Sequence, residues 1–193
     1  QCLSDMRFHV VICVFFLLIF SGTRLWAETF LAEIDTPSFT MIGYASLPGE
    51  GVDQTTGGTG GEVDTIKTLD QLLEMAGERE KDTTPVIWYI KGKIESPETQ
   101  TATIKHGANI SVIGYGKDAE LVNIGLRFWD YNNVIVRNLK IREVLYPNDA
   151  ITIDDCHHVW IDHNELHSII GEGIDVDTYD GLLDIKNGSR YVT

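Results

Sequence analysis

Apolar residues along the chain fall into two rhythms. Between Thr68 and Ala76, the residues Leu69, Leu72, Leu73 and Ala76 recur at helical spacing and share one face. Thr68 in front of them is a cap, Gln71 three residues later completes a capping box, and Gly77 is expected to weaken or end the helix. Beyond Pro85 the texture changes to short β-branched and aromatic runs separated by Gly, Asn and Asp, beginning with "VIWYIKG" at Val86.

Those runs repeat. "NISVIG" at Asn109, "NVIVRNLKI" at Asn133, "HVWIDHNEL" at His158 and "RYVT" at Arg190 follow one another at steps of 24, 25 and 32 residues. A second series keeps phase with the first, since Leu126, Ile151 and Leu183 each stand eight residues before Val134, Val159 and Tyr191. Two strand series locked in phase at a period of about two dozen residues predict stacked coils, as in a parallel β-helix. Alternation then directs Ile151, Ile153, Val159 and Ile161 into the core and Thr152, Trp160 and Asp162 outward. Asn109 and Asn133 occupy the same turn, where stacked amides can bond one another, and His158 interrupts that ladder on the next rung. The excess of seven residues in the third step falls in "SIIGEGIDVDTYD", Ser168 to Asp180, and long insertions of a β-helix gather on one binding face.

Two other segments precede the repeats. Met6 and Arg7 open the apolar run "VVICVFFLLIF", Val10 to Phe20, and "LWA" at Leu25 to Ala27 supplies a small residue before a cut. This run is too short to span a bilayer comfortably, so residues 1–27 read as an export signal, with Gln1 to Asp5 ahead of the plausible start at Met6. The mature chain would begin near Glu28 and be secreted to the extracellular space. Residues 28–62, with "PGEGVDQTTGGTGGE", read as irregular surface chain, and 63–193 as the coiled domain. Cys2 and Cys13 fall before the cut, which leaves Cys156 without an internal partner and best read as a small buried residue between strands.

A length of 193 residues bounds one domain or part of one. The formal charge of −14 argues against nucleic acid or an anionic membrane surface as partner of the mature form, and a cation is the natural companion. From Glu143 to Asp184 there are eleven Asp or Glu residues and no Lys or Arg. Asp149 lies just before the strand "AITI", and Asp180 and Asp184 bracket the equivalent strand "GLLDI" one coil further on. Neighbouring coils lie about 4.8 Å apart, so carboxylates at matched places can converge on one ion. Hard oxygen ligands completed by water suit Ca²⁺ better than zinc, which favours His or Cys. Glu172, Asp175 and Asp177 in the insertion are second-rank ligands, and a solvated acidic surface is the competing reading. In "DDCHHVWIDHNELHS", His157, His158, His163 and His167 match no metal spacing and read as structural. Asp162 and His163 should point to opposite faces of their strand unless a bulge intervenes.

"VWIDHNEL" at Val159 to Leu166, followed by "DGLLDIKNGSRYVT" at Asp180 to Thr193, resembles the signature region of the family 1 pectate lyases. "VIWYIKGKI" at Val86, "NISVIGYG" at Asn109 and "GLRFWDYNNVIVRNLKI" at Gly125 add to the likeness, which runs from about Gly60 to the end. It implies an all-β, right-handed, single-stranded parallel β-helix with an N-terminal capping helix, acting as a monomer on polygalacturonate (pectate). The implied chemistry is β-elimination: Ca²⁺ bridges protein and uronate carboxylate, an arginine removes the acidified C5 proton, and the C4 oxygen leaves to give a 4,5-unsaturated end. Matched residue by residue, the calcium carboxylates fall on Asp149, Asp180 and Asp184, while Pro147 stands where some members carry another acid. The family's base arginine lies beyond the segment matching "DIKNGS", and neither Arg190 nor Lys186 matches it, so no catalytic residue is assigned. The resemblance therefore makes the chain an N-terminal piece, truncated after the first coils, whose open end should leave it weakly folded and inactive by itself. Two alternatives stand beside this reading: a pectin lyase, which lacks the calcium cluster, and a noncatalytic secreted β-helix that binds acidic polysaccharide.

Overall fold

A computed structural model of the chain describes residues 40–193, and the export-signal reading of residues 1–27 lies outside the described residues. A 3-10 turn at Tyr44–Ser46 is followed by β1 (Glu62–Ile66), α1 (Leu69–Glu78), β2 (Val86–Arg137), β3 (Lys140–Arg142), β4 (Ile151–Asp154), β5 (His157–Asp162) and β6 (Glu165–His167). A second 3-10 turn at Val176–Thr178 leads into β7 (Leu183–Lys186) and β8 (Arg190–Val192). Held straight, the 52 residues of β2 would reach about 170 Å. Instead the extended chain turns corners at residues in the left-handed region, among them His106, Asn109, Gly116, Asp130 and Asn133. All the ladders between these strands are parallel, and their stacking makes the predicted parallel β-helix.

The register carries the site. Leu126 pairs with Ile151 and Ile151 with Leu183, as their spacing predicts. Val134 pairs with Val159, but Val159 pairs with Val192 and His157 with Arg190, which corrects the last sequence alignment by one residue. The extra residue sits in the corner between β7 and β8, where Asn187 and Gly188 both take positive φ. Ser189 ties that corner down: its hydroxyl accepts from the Cys156 amide at 3.1 Å and donates to the Lys186 carbonyl at 2.7 Å.

Inward residues form one core, which includes Ile66, Trp88, Ile104, Phe128, Val136, Ile151, Ile153 and Val159. Thr152 and Trp160 lie on the outward rows yet are also buried, Thr152 beside Asp149 and Trp160 beneath the Arg137 guanidinium, 5.3 Å from the ring. Leu183 and Ile185 stack on Ile151 and Ile153 but remain 39% and 51% exposed. Leu72 and Ala76 of α1 join the core. The Thr68 hydroxyl accepts from the Gln71 amide at 3.3 Å, while the Gln71 side chain accepts from Lys67 rather than from the cap itself. Gly77 does not end the helix, which runs on to Glu78 and closes at Arg79. That arginine is buried and holds the corner through Tyr131, Asp82 and the Ala108 carbonyl. Cys156 is fully buried, and burial pushes its thiol up to about 11.

One corner explains how the early segment is fixed. Asn109, Asn133, His158 and Tyr191 succeed one another there with φ near 60°. Asn133 donates to the Asn109 side chain at 2.7 Å, the expected amide ladder. At His158 rings replace amides, and its imidazole stacks on Tyr191 at 4.6 Å. Residues 43–58 are irregular but fastened to this column. Asn133 Oδ1 accepts from the Thr56 and Gly57 amides at 2.6 and 2.8 Å, and His158 Nε2 lies 3.0 Å from the Leu47 carbonyl. Gly49 approaches so closely that a Cβ there would lie 2.3 Å from the Tyr191 ring.

Asn133→Ala removes both the ladder rung and the anchor of residues 56–57, so urea unfolding should show a loss of about 2–4 kcal/mol. The same change at the exposed end of the ladder, Asn109→Ala, should cost clearly less.

His158 Nε2 donates to the Leu47 carbonyl at 3.0 Å, and its Nδ1 shares a proton with His157 Nδ1, also at 3.0 Å. Burial, followed by His158 and Arg190, holds His157 below the ordinary imidazole range, although Glu50 opposes them. A depressed folded pKa gives stability that is present above the unfolded value of 6.5 and lost as pH falls toward the folded one. The unfolding midpoint should therefore drop between pH 7 and pH 5, and drop less in His157→Gln.

Candidate metal centre

The acid-only stretch from Glu143 to Asp184 draws its countercharges largely from the preceding coil. Parallel stacking sets Arg137 against Asp162 and Lys140 against Glu165 in register, and their side chains pair at 3.3 and 3.1 Å. Arg127 pairs with Asp154 at 2.5 Å, and Arg142 with Glu143. Although burial pushes the Asp154 carboxyl up, hydrogen bonds from Asn187 and Arg127 hold it below the usual carboxylate range. The repulsion evident in the sequence is thus relieved at Glu143, Asp154, Asp162 and Glu165.

Asp149 is the buried acid that this pairing leaves out. It is only 7% exposed and, among the described residues, forms no ion pair; its Oδ2 accepts from the Thr152 hydroxyl at 2.8 Å. Burial pushes its carboxyl above the ordinary range, the Thr152 bond opposes this, and the charges of Asp184 and Asp180 add to it. Asp184 arrives from the next coil because it pairs in register with Thr152. A Cβ on Gly181 would lie 3.0 Å from Asp149 Oδ1 and 3.0 Å from Asp184 Oδ1, so the two oxygens border one gap that the missing side chain leaves open. Lys186 supplies the nearby positive charge, its ammonium 3.5 Å from Asp184 Oδ2.

Of the three aspartates singled out by sequence, the structure brings Asp149 and Asp184 to one gap. Asp180 is exposed and borders a separate hollow of about 450 Å³ with Ile170, Asp175 and Tyr179, although its charge still reaches Asp149. Among the described residues, no group of three His, Cys, Asp or Glu side chains is gathered tightly enough to hold a metal. The buried, unpaired Asp149 and the gap at Gly181 nonetheless fit a hard cation that takes two carboxylates and completes its shell with water.

The insertion docks against the loop that carries Asp149. Tyr179 bridges Leu145, and the Tyr146 amide donates to the Thr178 carbonyl at 3.0 Å, beside the loop that carries Asp149. Asp175 caps its own turn by accepting from the Asp177 amide, while Asp177 and Glu172 are exposed. Asp162 and His163 do meet, at 2.7 Å, against the expectation of opposite faces. His163 adopts φ 52° at a corner, which rotates it out of the strand alternation. Thr152, Gly181, Arg127 and Lys186 were not singled out beforehand. The repeat itself could have shown three of them, because Arg127, Thr152 and Asp184 share one outward rung and Lys186 lies two residues on.

Stacked parallel coils that bring a buried Asp149 and a half-exposed Asp184 to one outward face define the class of protein: a parallel β-helix. Residues 27–193 match the family model described as pectate lyase, and the chain belongs to that family. A pectate trisaccharide-lyase of Bacillus licheniformis is 40% identical over 159 residues, covering 80% of this chain and 45% of that protein. Pectate lyase A of Emericella nidulans is 41% identical over 155 residues, covering 80% and 43% respectively. The crystal structure of pectate lyase Bsp165PelA from Bacillus sp. N165, in complex with trigalacturonate, superimposes with a TM-score of 0.70 at 34% identity, covering 79% of this chain and 50% of that one. The chain thus spans about half the length of the relatives it matches.

Proposed function

We propose that this chain supplies the first coils and the calcium-binding face of a secreted, monomeric pectate lyase that cleaves polygalacturonate by β-elimination. The observation that carries the reading is the gap at Gly181, bordered by Asp149 Oδ1 and Asp184 Oδ1. Family membership supports the reaction, and the trigalacturonate complex of a relative supports the substrate class. Asp149 and Asp184 would hold Ca²⁺ with Asp180 closing in from the insertion, and the bound ion would supply a bridge to a uronate carboxylate and acidify its C5 proton. Thr152 fixes Asp149 by its hydrogen bond, and Lys186 balances the pair until the ion arrives. No described residue is assigned as the base that takes the proton. A pectin lyase is the weaker reading, since its substrate is esterified and needs no such acid pair.

The test uses the chain within a protein of the relatives' length. Unsaturated product is followed by ultraviolet absorbance on polygalacturonate, with calcium or with chelator, for wild type and Asp184→Ala. Calcium-dependent absorbance should appear in wild type and fall at least about a hundredfold in the variant. A folded, calcium-binding protein that yields no unsaturated product would overturn the lyase reading and leave a polysaccharide-binding β-helix.

A further inference from the structure

Of the tryptophans among the described residues, Trp88 lies in the core at 1% exposure and Trp160 beneath Arg137 at 9%, but Trp129 is 38% exposed. Its neighbour Phe128 is fully buried, so strand alternation turns the Trp129 indole outward. The ring is held without being fully covered. The Arg127 guanidinium carbon lies 5.2 Å from its centre, and Asp154 grips Arg127 at 2.5 Å. On the preceding coil the His106 ring stands 4.8 Å away, tilted by 54°, and its Nδ1 lies 2.9 Å from Asp130 Oδ2. Two neighbours that are themselves pinned thus fix the indole while part of it stays open to solvent, which makes it a preorganised contact surface.

Trp129 belongs to the outward face that carries the acid pair. It pairs in register with Asp154 and Asp154 with Lys186, while Arg127 pairs with Thr152 and Thr152 with Asp184. The Trp129 Cα is therefore two strand spacings and two residues from that of Asp184, roughly 12 Å. That exceeds the length of one sugar ring, so a polymer bound at the gap must run toward the earlier coils for more than one unit before it lies over the indole. An apolar ring bordered by a guanidinium, an imidazole and two carboxylates suits a ligand that is apolar on one face and hydroxylated at its edges, as a pyranose is.

We propose that Trp129 is a stacking platform for a sugar ring of the polysaccharide remote from the metal gap, so that this face favours long chains over short ones. This rests on the reading of the site as one for polygalacturonate. Stacking uses the C–H face of the sugar and not its carboxylate, so the platform selects for chain length and is indifferent to charge. His106, set at a corner with φ 59° and fixed by Asp130, is the positioning residue that keeps the indole from folding back onto the preceding coil.

The experiment is acrylamide quenching of tryptophan fluorescence in the protein at the relatives' length, in calcium, with digalacturonate or hexagalacturonate. It is read by stopped flow before turnover shortens the chain, and the same measurement on Trp129→Phe supplies the signal of the remaining tryptophans to be subtracted. Hexagalacturonate should abolish most of the quenching of Trp129, and digalacturonate should leave it unchanged. In Trp129→Ala, KM for hexagalacturonate should rise about tenfold with kcat and calcium affinity unaltered. Calorimetry on the same mixtures shows whether each oligomer binds. Hexagalacturonate that binds while Trp129 stays as open to quencher as before overturns this inference alone, as does equal protection by digalacturonate. Failure of both oligomers to bind in calcium overturns the polygalacturonate reading and this inference with it.

Discussion

Parallel pairing between successive coils is the constraint from which the rest follows. Each strand must find its amide partners on the coil before and the coil after, so the chain has to return to the same place with the same phase after every turn. Corners make that return, and residues in left-handed conformation such as Asn133, His158 and Tyr191 recur at the same corner. Once the phase is fixed, side chains two dozen residues apart become neighbours. Core packing, the Asn109–Asn133 rung and the cross-coil ion pairs are consequences of that single condition.

Charge placement follows the same logic. Basic residues on one coil face acidic residues on the next, so Asp154, Asp162 and Glu165 of a stretch that is wholly acidic in sequence are paired in space. At Asp149 and Asp184, two coils bring carboxylates to one gap with a single lysine close by. Burying a carboxylate without a partner is costly, and the elevated titration of Asp149 expresses that cost. A divalent cation in the gap would relieve it.

Much of this was legible in the sequence because a repeat converts spacing into adjacency. The steps of 24 and 25 residues located the core rows and the amide ladder, and the step of 32 the coil relation between Asp149 and Asp184. What stayed hidden was local. Gly77 gave no sign that α1 would run past it, and the extra corner residue at Asn187–Ser189 could not be told from a strand slip. His163 met Asp162 through a positive φ that no alternation rule anticipates, and the distance of Asp180 from the acid pair depends on how the insertion folds against Leu145 and Tyr146.

The central claim is that the gap at Gly181 is a calcium site. Gly181→Ala tests it most directly, because the added methyl would lie 3.0 Å from both carboxylate oxygens while removing no charge and no ligand. Calcium titration by calorimetry should show binding in wild type and affinity weaker by about tenfold or more in Gly181→Ala. Equal affinity in the two proteins would contradict the account and place any bound calcium elsewhere.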